Sequence, residues 1–81
     1  MNQQTIREEI RPLLDDSIRH YKFTRVEYLG NTRKIAVGVS LKGGAILHAV
    51  AASVMDVAIS LIAQYDELTT SDRNDRVYLH K

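Results

Sequence analysis

Tyr21, Phe23 and Arg25 stand at alternate positions, and Lys34 follows them across a Gly30-Asn31 pair. Alternate residues of a strand share one face. Aromatic rings and cations on an open sheet face can stack bases and neutralise phosphates, the chemistry of single-strand or nucleotide binding. The small residues Ala36, Gly38 and Ser40 would share that face and leave room above it. A flat face of this kind equally suits the docking of a second sheet, a helix or another subunit. Further on, Lys42-Gly43-Gly44 lies between a β-branched run and a long apolar segment. Free backbone amides at a helix start, with a lysine beside them, can hold an anion. The longer glycine pattern of a nucleotide loop is missing, and a simple strand-to-helix turn has the same composition. Ligand binding is therefore assigned to Tyr21, Phe23, Arg25, Lys34, Lys42, Gly43 and Gly44.

The remaining reactive residues form no catalytic pattern. Ser17, Ser40, Ser53 and Ser60 lack a nucleophile-elbow context. His20, His48 and His80 are the only histidines, and none is spaced i, i+4 from another, so no metal site or cofactor is expected. His48 and Asp56 are the one pair on which a small enzyme, completed across a subunit interface, can be imagined. An Asp within an apolar helix more simply marks a polar edge or a salt bridge, since an unpartnered buried carboxylate is costly.

These residues belong to 81, enough for one domain spanning 1–81. A chain this short is marginally stable unless disulfides, a metal or a partner subunit help. Cysteine is absent, which leaves packing and association. Charge is segregated. Up to Ser17, Arg7 and Arg11 face Glu8, Glu9, Asp15 and Asp16; from Ile18 to Gly44, six Lys and Arg residues face Glu27 alone; beyond that, acids again outnumber bases. The middle third is a basic island. No basic run with an apolar stretch behind it opens the chain, which points to a cytoplasmic location.

The elements follow from periodicity. Thr5-Ile6-Arg7-Glu8 has the form of a capping box. Ile6, Ile10, Leu13, Leu14 and Ile18 trace one helix face. Pro12 interrupts this stretch, so a kinked helix is expected, or a turn and a helix from near Pro12, ending about Arg19. His20 to Leu29 and Arg33 to Lys42 read as two strands joined by a two-residue turn at Gly30-Asn31. That register sets Leu29 opposite Thr32, Val26 opposite Ile35 and Glu27 opposite Lys34. Thr24, Val26, Ile35, Val37, Val39 and Leu41 then form the core face.

From Gly44 to about Glu67 the composition predicts a long helix, with His48, Asp56, Ser60 and Gln64 as a narrow polar stripe. As a membrane span, Gly43 to Ala63 would carry Asp56 near its middle, at a cost of about 2.5–3.5 kcal/mol. A buried helix is preferred, and no membrane contact is expected. Its apolar arc is wider than one small sheet can cover, which argues for packing against the first helix or another subunit. Thr69 to Asp75 reads as a loop and Arg76 to His80 as a short closing strand. The result is a small α+β domain of order α-β-β-α-β with an oligomeric core.

Gly43-Gly44-Ala45-Ile46-Leu47, with a small-residue helix and Asp56 behind it, is similar to the entrance of the central helix in hot-dog thioesterases. The similarity covers about a quarter of the chain. That family sets several strands after the helix, whereas about a dozen residues remain here, so neither its activity nor its site residues are carried over.

The reading for function is a non-catalytic, homo-oligomeric binding module that engages an anionic partner through a basic hairpin. The partner would be a nucleotide, a nucleic acid or an acidic protein surface. A compact phage or mobile-element accessory protein, acting as an inhibitor or ligand trap, has this size. The alternatives are a structural or protein-interaction subunit with no nucleotide ligand, and the His48/Asp56 enzyme.

Overall fold

A computed structural model describes residues 2–79, with side chains described from residue 2 to residue 69. The first helix, α1 (Gln3–Asp15), is capped by Asn2, whose Oδ1 accepts from the Thr5 amide at 2.8 Å and from the Thr5 hydroxyl at 3.0 Å. The cap therefore lies three residues ahead of Thr5, the start expected from the capping-box pattern. Pro12 sits inside the helix without ending it. Both Pro12 and Glu8, whose carbonyl loses its usual donor, are solvent-exposed, so water can satisfy that oxygen. Ile6, Ile10 and Leu14 are fully buried and form the helix's contribution to the core; the helix ends at Asp15, short of the Arg19 expected, and Ile18, nearly buried, follows it outside the helix.

Strands β1 (Tyr21–Leu29), β2 (Lys34–Leu41) and β3 (Ile46–Ala51) form an antiparallel sheet in the order β1-β2-β3. The first hairpin differs from expectation at its turn. Residues 30–33 make the loop, Leu29 pairs with Lys34, and the Thr32 amide donates to the Leu29 carbonyl at 3.1 Å. A two-residue type I′ turn needs positive φ at both central residues. Neither Gly30 nor Asn31 adopts it; Arg33 does, at φ 54°. Near the turn the register moves by two residues, so Val26 meets Val37 in place of Ile35 and the faces keep their parity.

Farther from the turn a second irregularity changes the faces. Phe23 pairs with Val39 and Arg25 with Gly38, so Thr24 is an extra residue in β1. A bulge of this kind reverses which side later residues present. Tyr21 and Phe23 therefore lie on the core face with Leu41 and Val39, while Arg25 and Glu27 lie on the other. Thr24 leaves the core face that was expected for it, and its hydroxyl closes over Gly38.

The segment expected to open a long helix at Gly44 is instead the second hairpin and β3. Residues 42–44 form its loop: the Gly44 amide donates to the Leu41 carbonyl at 3.0 Å, and Leu41 donates to Ala45 at 2.8 Å. Gly44 takes φ 95°, a value that favours glycine. Leu47 and Ala49 are buried while Ile46 and Val50 are 66% and 46% exposed, a two-residue alternation. Helix α2 (Val54–Leu79) begins ten residues later than predicted, capped by Ser53, whose Oγ accepts from the Asp56 amide at 3.1 Å. Asp56 thus lies exposed in the first turn, where the helix dipole favours a carboxylate.

The order is α-β-β-β-α. The closing strand expected from Arg76 is helical as far as Leu79, and His80 lies outside the described residues. With residues 46–51 in a strand, the similarity to a hot-dog central helix does not hold. Both helices pack on one face of the sheet, around Val26, Val37, Val39, Leu47, Val57 and Leu61. Among the described residues no helix is long and apolar enough to cross a membrane.

Gly38, on the open face, is closely approached by its neighbours. A methyl group there would stand 2.7 Å from Thr24 Oγ1 and 3.5 Å from the His48 ring. Gly38→Ala should destabilise the domain by about 1–3 kcal/mol, the usual cost of overpacking. Urea denaturation of Gly38→Ala and of the Thr24→Ala/Gly38→Ala pair checks this: the double variant should recover part of the loss, and full stability of the single variant would contradict the close approach.

Candidate functional site

The bulge in β1 sends Phe23 and Tyr21 toward α1, and α1 meets them with arginines. Arg7 and Arg11, one turn apart, bring their guanidinium carbons to 5.4 and 5.7 Å from the Phe23 ring centroid. Both distances are within cation–π range. Tyr21 packs edge-on against Phe23, with centroids 5.5 Å apart and an interplanar angle of 81°. The Tyr21 hydroxyl donates to Asp15 Oδ1 at 2.7 Å, which ties the end of α1 to the start of β1.

These residues line a cleft of about 740 Å³ between α1 and β1, completed by Ile18, Arg19, His20 and Lys22. His20 turns the chain into β1 with φ 56°. A second depression, of about 450 Å³, continues from His20, Tyr21 and Lys22 to Ser40, Leu41 and Lys42. Arg7, Arg11, Arg19, Lys22 and Lys42 thus border two adjoining depressions, and a third, which shares Arg7, Arg11 and Asp15 with the cleft, adds Gln4 and Glu8, so Asp15 and Glu8 are the carboxylates beside these cations. Among the described residues the one ion pair is Arg25 with Glu27, so none of these five cations is neutralised there.

Two of the residues expected to bind ligand, Tyr21 and Phe23, are in this cleft, and Lys42 borders its extension. Arg25 and Lys34 are not with them. Arg25 lies on the open face, where its Nε and Nη2 donate to Glu27 Oε2 at 3.0 and 2.6 Å and its Nη1 donates to His48 Nε2 at 3.2 Å. Because the arginine supplies the proton, that imidazole nitrogen is the acceptor. Lys34 is exposed at the hairpin end of the sheet, opposite Leu29. Gly43 and Gly44 belong to the β2–β3 loop, so the helix-start amides that would have held an anion do not exist there. The aromatic-and-cation face expected from alternation is split between two sides of the sheet.

Arg7, Arg11, Arg19, His20 and Lys22 are the residues that sequence reasoning missed. Arg7 and Arg11 sit in the acidic first block, which hid their contribution. Their i, i+4 spacing was the available signal, since it stacks two like charges on one side of a helix. No hydrogen bond or ion pair joins His48 to Asp56 among the described residues, and no group of three potential metal ligands occurs there.

No family model, no curated protein and no solved structure matches the chain.

The Tyr21 phenol is pushed up to about 12, first by its partial burial and then by the hydrogen bond to, and the charge of, Asp15; Arg11 acts in the opposite sense. A phenol raised in the fold favours the folded state while it is neutral. Its contribution is complete below the ordinary tyrosine value near 10 and is lost as pH climbs from there through about 12. Absorbance titration near 295 nm should show one late-ionising tyrosine that disappears in Tyr21→Phe. That variant should also lose on the order of 1 kcal/mol at neutral pH, the net worth of one hydrogen bond.

Proposed function

We propose that this chain is a non-catalytic, homo-oligomeric binding module that takes an anionic partner in the α1–β1 cleft. The observation that carries the reading is the pair of guanidinium groups held against Phe23, neither of which forms an ion pair among the described residues. Like charges at i, i+4 cost a helix a few tenths of a kcal/mol. A bound anion removes that repulsion and gains charge-assisted hydrogen bonds from forks already oriented by the ring. Arg19, Lys22 and Lys42 add charge of the same sign along the two adjoining depressions, and Tyr21 with Asp15 fixes their floor.

Association is supported by the apolar residues left outside the core. Ile46 and Val50 project from the uncovered sheet face, and Met55 and Ile59 are more than half exposed on α2. The excess of apolar surface inferred for one long helix is thus divided between a strand and a helix. The enzyme reading has less behind it, because His48 engages Arg25 and Asp56 stands at a helix start.

Calorimetric titration with tripolyphosphate and with a poly-glutamate peptide tests the anion reading. At least one should bind, and Arg7→Gln/Arg11→Gln should weaken it tenfold or more, since hydrogen bonds to charged groups contribute about 1.5–3 kcal/mol each. Failure of both probes and of a single-stranded oligonucleotide to bind would overturn it. Sedimentation equilibrium tests the assembly: Val50→Lys should shift the wild-type oligomer toward monomer, and a wild-type monomer at high micromolar concentration would refute it.

A further inference from the structure

We infer that the partner is a single strand of nucleic acid, gripped through its phosphodiester backbone with little regard for base sequence; this rests on the anion-binding reading above and narrows it.

The first support is the extent of the charged surface. The two depressions, about 740 and 450 Å³, share His20, Tyr21 and Lys22, and their cations stand at both ends as well as between. Arg7 and Arg11 hold the α1 end, Arg19 and Lys22 the middle, and Lys42 the far end. A lone phosphate or a mononucleotide would satisfy one end and leave the other cations unanswered. A run of regularly spaced phosphates answers all of them.

Base recognition is poorly provided for. The Phe23 ring is taken up by two guanidinium groups and the edge of Tyr21, and the Tyr21 hydroxyl is committed to Asp15. Among the described residues the one amide side chain of the type that reads adenine edges beside these depressions is Gln4, and its Nε2 is engaged in donating to Glu8 Oε1 at 3.1 Å. What remains for a base is the outer plane of an arginine, on which any base can stack.

Other anions fit less well. Reading a duplex by sequence takes an element that projects into a groove. Here Arg7 and Arg11 lean across Phe23 toward β1, so α1 does not present them as an outward ridge. An acidic protein would need an apolar core at its interface. The cleft offers none that is uncovered: Ile18 is buried and Phe23 lies under the arginines.

Fluorescence anisotropy with labelled dT12 checks the inference against a labelled mononucleotide, a 12-base-pair duplex and a poly-glutamate peptide. The dT12 strand should bind at least tenfold tighter than each of the other three, and replacing dT12 by a mixed-sequence 12-mer should change affinity less than threefold. Counterion release from single strands contributes a slope of about −0.7 per phosphate neutralised, so five contacts predict a log–log salt slope of about −3 to −4. Lys42→Gln should make that slope shallower by about 0.7, whereas Arg33→Gln, in the hairpin loop outside both depressions, should leave it unchanged. Equal affinity for the mononucleotide, preference for the duplex or the peptide, or a flat salt dependence would overturn the inference. Tripolyphosphate binding without any binding of dT12 would refute the strand alone, while the absence of binding to every anion would refute the anion site as well.

Discussion

The division of Tyr21, Phe23, Arg25 and Glu27 between the two sides of the sheet depends on one extra residue in β1. Between Phe23 and Arg25 the ladder takes in Thr24 without a partner of its own, so the strand presents opposite sides before and after it. Ahead of the bulge, Tyr21 and Phe23 turn toward the helices; beyond it, Arg25 and Glu27 turn away. Without the bulge, Phe23 would share a face with Arg25 and the arginines of α1 would have no ring to lie on. Gly38 is part of the same constraint, because Thr24 and Arg25 both stand over it and a side chain there would collide with the Thr24 hydroxyl.

The layering then separates two kinds of surface. Both helices cover one side of the sheet, where Ile6, Ile10, Leu14, Val57 and Leu61 are fully buried, and among the described residues no polar side chain is buried with them. Charge is expelled to the rim of this core, where α1 meets β1, and it is held there by Phe23 and by the Tyr21–Asp15 hydrogen bond. The other side of the sheet has no helix. There Arg25 links Glu27 to His48 across the small residues of β2, and Ile46 and Val50 stand beside them.

The sheet's outer edges are also modified. Gln64 reaches from α2 to donate to the His48 carbonyl at 2.9 Å, so part of the β3 edge is occupied by a side chain. The bulge twists the β1 edge. Both devices discourage strand addition at the edges of the sheet.

Much of this was legible in the residues themselves. The stripe Ile6, Ile10 and Leu14 established α1 and its buried side, because a 3.6-residue period of large aliphatics has few other uses. The β-branched runs on either side of Gly30-Asn31 established the first hairpin. Three things lay beyond reach, each for the same reason: they are settled by partners distant in the chain. Residues 46–51 are rich in Ala, Val, Ile and Leu and suit either a helix or a strand; they became a strand because apolar β2 needed hydrogen-bond partners along its second edge. A bulge has no signature in composition, so alternation alone put Phe23 and Arg25 on one face. The cleft joins Arg7 and Arg11, from a block acidic in sum, to Phe23 and Lys22, and only folding α1 back on β1 brings those charges together. The chain's own pattern therefore settled which segments hide from water, while the tertiary structure decided which charges meet, since Coulomb interactions follow distance in space and not in sequence.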